Sequence, residues 1–79
     1  GCMAAIWKNG LSIPRDIAIV GFDDIPVAAF LTPPLTTIKL DGQQHGMIAT
    51  NMLLDLIEGN PLTHNQVLLP SPLITREST

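Results

Sequence analysis

Charge is what this sequence has least of. Four Lys and Arg and seven Asp and Glu make up only 14% of its 79 residues, where about a quarter is usual for a soluble domain. The few cations are scattered and the net charge is −3, which argues against a basic nucleic-acid surface on this chain. Cysteine occurs once, as Cys2, so an internally disulfide-stapled miniprotein is excluded. Tyrosine is absent, and one Trp with two Phe are too few for an aromatic stacking platform. Long apolar runs are missing as well. Asp16, Asp23, Asp41 and Asp55 interrupt them, well short of the ~18–20 residues a membrane span requires.

What is present is a hydrophobic content of 46%, which excludes intrinsic disorder. At 79 residues the chain is one domain at most. A domain of this size leaves much of its surface in water, and the charged groups are too few to coat it. Much of the apolar surface is therefore expected to face other chain or a partner subunit. Gly1–Asn9 reads as a helix already under way, with no Ser, Thr or Asp to cap it and no initiator Met. The sequence is expected to be a piece of a longer protein.

Asn9-Gly10 ends the opening helix, and Leu11–Asp16 is a connecting loop. Ile17–Phe22 runs apolar and β-branched without alternation, the pattern of a strand covered on both faces in a parallel sheet. Pro26 suits the first turn of a short helix carrying Val27–Leu31, which Thr32-Pro33-Pro34 stops. Leu35–Leu40 is a second strand. Asp41 and Gln44 occupy the N-cap and N3 positions of a capping box. The helix they open spans about Gly42–Glu58, with Ala49, Met52, Leu53, Leu56 and Ile57 expected to form one buried stripe. Gly59 and Pro61 end it. Gln66–Leu69 and Leu73–Arg76 read as two further short strands. The order is that of the α/β class with a mostly parallel sheet.

Ligands of open parallel sheets bind beyond the carboxyl ends of the strands, and Asp23 and Asp24 stand there. A carboxylate at such a place accepts hydrogen bonds from ligand hydroxyls. One of the two, Asp24 in preference, would cap the helix that follows. His45 and His64 have no cysteine or clustered carboxylate beside them, so solvated or locally bonded histidines are expected rather than a zinc site. Cys2 reads as a buried structural thiol, Trp7 as core, and Arg76 as a surface or cap charge. Ser71 and Ser78 lack a nucleophile-elbow context, and no nucleophile–base pair is visible. No catalytic residue, metal site or cofactor is expected.

The string Gly10–Asp24 resembles the helix–loop–strand signature of lactose-repressor/galactose-repressor (LacI/GalR-type) transcriptional regulators. Pro33–Ile38 and Leu73–Thr79 resemble further segments of that family, so that with the Asp41–Gly59 helix the likeness covers nearly the whole chain. The resemblance implies part of a two-lobed, type I periplasmic-binding-protein-like effector domain, with parallel sheets flanked by helices. Residues 1–39 would lie mainly in one lobe, 40–69 in the other, and 70–79 back in the first. It also implies a sugar- or metabolite-responsive repressor that acts in the cytoplasm and meets DNA only through a separate N-terminal helix-turn-helix. Asp23 matches the family's effector-binding carboxylate. Leu40 and Gly42 match positions near the hinge where some members contact the effector, although neither can stack or donate from its side chain here.

The expected effector contacts are thus Asp23, Asp24 and Gly42. Phe30, Leu31 and Leu35 flank or open a strand that the two prolines would confine to a sheet edge. An apolar edge must be covered, either by the protein's own further helices or by a second copy across a two-fold axis. Two other readings remain open on the sequence. One is a secreted sugar-binding component of an uptake system; the other is an α/β enzyme holding Mg²⁺ on Asp23 and Asp24.

Overall fold

Helix α1, Cys2–Lys8, starts at Gly1 without a side-chain cap and closes at Gly10, whose φ of 72° glycine adopts without Cβ strain. The N–H groups of Gly10 and Leu11 donate to the carbonyls of Trp7 and Ile6, the paired bonds of a Schellman ending. This computed structural model describes residues 1–79, which form two compact units, Gly1–Leu40 with Pro72–Thr79, and Asp41–Ser71.

The first unit is built on a three-stranded sheet in the order β1-β2-β3. Strand β1 is Val20–Asp23, β2 is Thr36–Lys39 and β3 is Leu73–Ile74. β1 and β2 run parallel with Val20 opposite Thr36, and β2 and β3 run antiparallel with Thr37 opposite Ile74. A 3-10 helix over Pro26–Phe30, with Pro26 at its start, joins the parallel pair. The Leu35 N–H closes that connection onto the Ala28 carbonyl at 2.9 Å.

Several expectations need correction here. β1 begins at Val20 rather than Ile17, because the N–H of Ile17 turns back to Ser12 and that of Ile19 goes to the Ser78 carbonyl. β2 is the central strand, not an edge. Pro33 and Pro34 precede it and remove no ladder donor from it. β3 pairs only at Leu73 and Ile74, since the chain beyond them hands its backbone groups to side chains of β2. The face of β1 that carries Val20 and Phe22 is not covered within this chain, and both are exposed. A Cβ at position 21 would stand 2.7 Å from Leu35 Cδ2, so a larger residue there would oblige the Leu35 side chain to shift.

The buried centre of this unit is polar to an unusual degree. Ile6 and Ala28 are its buried apolar residues, while Thr36, Thr37 and Ser78 are 1%, 1% and 0% exposed. Each hydroxyl is bonded, and no buried side-chain oxygen or nitrogen lacks a partner. Trp7 and Cys2, expected inside, are exposed, lining an open cleft beside Gly21, Leu31 and Leu35 rather than a closed core.

The second unit carries helix α2, Gly42–Ile57. Asp41 caps it as expected, accepting from the Gln44 N–H at 3.1 Å. The carbonyl of Asp41 also receives the His45 N–H and lies 2.7 Å from His45 Nδ1, so this histidine is locally bonded. Gly59, at φ 77°, ends the helix with the same paired closure as α1, Asn60 and Gly59 donating to Asp55 and Leu56. No residue of α2 is buried, so the expected stripe is present by spacing but uncovered. Gln66–Leu69 is not a strand. The unit has no other strand to pair with, and Leu68 is 99% exposed.

Candidate functional site

Asp23 and Asp24 close β1 and break its extended geometry together, at φ 87° and 51°. Non-glycine residues pass into this left-handed region at a cost on the order of 1 kcal/mol each, and Asp is among the few that enter it readily. The turn lies at the carboxyl end of the parallel pair, beyond Phe22 and Ile38. Asp23 is exposed and its side chain makes no hydrogen bond or ion pair within the chain, whereas Asp24 is held.

Asp24 is fixed at both ends. Its N–H donates to Thr37 Oγ1 at 3.2 Å, and its Oδ1 receives Arg76 Nη1 at 2.8 Å. The same Nη1 donates to the Leu35 carbonyl at 2.8 Å. The Arg76 and Asp24 side chains are only 20% and 13% exposed. Asp24 is therefore not the helix cap expected of it. Ile25 holds that position with no side-chain bond, because the Asp24 carboxylate is drawn away to Arg76. Arg76 in turn is an internal ion-pair partner rather than a surface charge.

Arg76 also belongs to a polar weave at the amino ends of β1 and β2 that the sequence reading missed. Thr36 N–H donates to Ser78 Oγ at 2.8 Å, and the Ser78 hydroxyl donates in turn to the Ile19 carbonyl at 2.7 Å. Thr36 Oγ1 accepts the Arg76 N–H at 2.8 Å and shares a hydrogen bond with Thr79 Oγ1 at 2.8 Å. Arg76, Ser78 and Thr79 thus stitch the ends of β1 and β2 from a distance of 40 or more residues. The available signal was the spacing of hydroxyls in Thr36-Thr37 and Ser78-Thr79, which carries no periodicity and reads as solvated chain.

The other expected site residues fall elsewhere. Gly42 is the first residue of α2 and lines an open cavity of about 340 Å³ with Gln43, Gly46, Met47, Thr50 and Asn51, all from the second unit. Phe30 is 83% exposed, while Leu31 and Leu35 are half-buried. Leu35 packs its side chain towards Gly21.

Residues 1–79 match the model of the periplasmic binding protein-like domain. The chain is 46% identical over 78 residues to the lactose operon repressor of Rhizobium radiobacter, covering 99% of itself and 68% of that protein. It superposes on the Lac repressor dimer bound to operator and the anti-inducer ONPF with a TM-score of 0.88, at 42% identity, over 100% of itself and 27% of that chain. A LacI family regulator from Arthrobacter sp. FB24 in complex with lactose matches at a TM-score of 0.77 and 32% identity, over 98% of this chain and 29% of that one. The chain thus spans less than a third of the length of these two solved relatives. The named relatives are transcriptional repressors and regulators, not enzymes, and the reading of Asp23 and Asp24 as a magnesium site gives way to them and to the Arg76 pairing. With its fold and its whole length in agreement, the chain belongs to the lactose-repressor/galactose-repressor family and matches its periplasmic binding protein-like domain.

Proposed function

We propose that this chain supplies the effector-binding and dimerisation part of a cytoplasmic transcriptional repressor that responds to a sugar. The observation that carries the reading is Asp23. Its carboxylate is exposed, unpaired within the chain, and set by a left-handed turn at the carboxyl end of the parallel strands. A carboxylate so placed accepts two hydroxyl hydrogen bonds from a sugar ring without first having to break an ion pair. Relatives named for the lactose operon and for a lactose complex support a sugar as effector.

The proposal extends to the lobes and partners. Residues 1–39 and 70–79 belong to one lobe and 40–69 to the other, with Gly42 near the effector. Asp24 serves the site by holding the turn. Phe30, Leu31 and Leu35 contribute to a homodimer contact, for which the exposed Phe30 ring and the dimeric Lac repressor relative speak. Effector binding changes the populations of conformations that place the DNA-binding heads. DNA is met through a separate helix-turn-helix. No helix of the chain is long and apolar enough to cross a membrane.

Lactose titrated calorimetrically into the intact regulator tests the effector site. Asp23→Asn removes a charge-assisted acceptor, and affinity should fall by about ten- to a hundredfold. Equal affinity for the two proteins removes Asp23 from the site.

A further inference from the structure

Asp23 and Asp24 stand consecutively at positive φ, a geometry that an isolated Asp-Asp dipeptide leaves for extended or helical backbone. Something must hold it. The two hydrogen-bonding groups that do so both act on Asp24: Thr37 Oγ1 on its N–H and Arg76 Nη1 on its Oδ1. Arg76 is well placed for this because Nη1 bonds the Leu35 carbonyl as well, which fixes the guanidinium to the backbone just before β2. Its own N–H is tied to Thr36 Oγ1. The clamp therefore runs from the backbone at the start of β2, through the guanidinium, to the second residue of the turn, and leaves Asp23 free for a ligand.

We infer that Arg76 is a positioning residue for the effector site, holding the left-handed Asp23–Asp24 turn through Asp24 so that the Asp23 carboxylate is set in place before the sugar arrives. The inference rests on the reading of Asp23 as an effector contact. On this reading Arg76 acts through Asp24 and not on the sugar. Its contribution is preorganisation, since a carboxylate already in its bound geometry loses less freedom on binding.

The test uses Arg76→Met, Arg76→Lys and Asp24→Asn in the intact regulator, with two measurements. Hydrogen exchange at the Asp24 amide is read without ligand. Arg76→Met should speed it by about tenfold relative to the Val20–Phe22 amides, as the bond to Thr37 is released more often. Arg76→Lys, which keeps the charge and one donor direction, should recover part of the protection. Unchanged exchange in Arg76→Met overturns the clamp. Asp24→Asn, which removes the ion pair and leaves Arg76 on the Leu35 carbonyl, should give the same acceleration and stands in where Arg76→Met does not fold.

Lactose affinity is the second measurement. Arg76→Met should weaken binding by about tenfold in the otherwise native protein and by less than about twofold in an Asp23→Asn background, because the effect passes through Asp23. Equal losses in the two backgrounds overturn the positioning role and indicate general loosening. If Asp23→Asn leaves lactose affinity unchanged while Arg76→Met still speeds exchange, the effector reading of Asp23 fails and the positioning role fails with it, although the clamp on the turn stands. If Asp23→Asn weakens binding and Arg76→Met does not, the effector reading stands and this inference alone is overturned.

Discussion

At the scale of single residues, the first unit depends on hydroxyls where a small domain ordinarily depends on methyl groups. Thr36 shows why. It is 1% exposed, and its Oγ1 accepts the Arg76 N–H while bonding Thr79. Thr36→Val keeps the shape and strands that N–H, a loss of about 1–3 kcal/mol. Urea unfolding of the intact regulator should show the drop for Thr36→Val and little change for Thr75→Val, whose side chain is exposed. Equal midpoints for the two variants would mean that the buried hydroxyl contributes nothing. The sequence made the strand-end position of Asp23 legible, because a carboxylate directly after an apolar run needs only one strand end to be interpreted. It did not make Arg76 legible. That guanidinium becomes a partner of Asp24 across 52 residues, and no local pattern encodes a pairing of that separation.

At the scale of elements, capping grammar proved more readable than burial. Asp41, Gly10 and Gly59 mark their helix ends through a side-chain oxygen or a positive φ that neighbours alone determine. The α2 stripe of Ala49, Met52, Leu53, Leu56 and Ile57 has helical spacing, yet spacing states only which residues share a face, not what covers it. Gln66–Leu69 was misread for a related reason, as β-prone residues make a strand only beside a partner edge. With no buried face in this chain, α2 leans more heavily on its ends. Asp41→Ala should cost about 1 kcal/mol, visible as lower helical circular dichroism of a peptide spanning 41–60. Identical helicity for the two peptides would deny the cap its role.

At the scale of the whole molecule, the apolar side chains left in the open set the behaviour. Val20, Phe22, Phe30, Leu53, Leu56 and Ile57 are all exposed within these 79 residues, far more than a monomer of this size keeps in water. The isolated chain should therefore self-associate and bind a hydrophobic dye. A sharp, concentration-independent melt from a sedimenting monomer would show that it sustains itself. In the intact regulator, Leu31→Ala should weaken dimerisation by about 2 kcal/mol, read by sedimentation across a dilution series; an unchanged dimer constant places the contact elsewhere. The stitching of β1 and β2 by Arg76–Thr79 has one more consequence, which concerns time. A ribosome delivers Thr36 first and Ser78 forty-two residues later, so the first unit waits half-finished while Asp41–Ser71 is being made. During that interval the Thr36 N–H and the Ile19 carbonyl have only water to bond, and a chain released before Arg76 leaves them so for good.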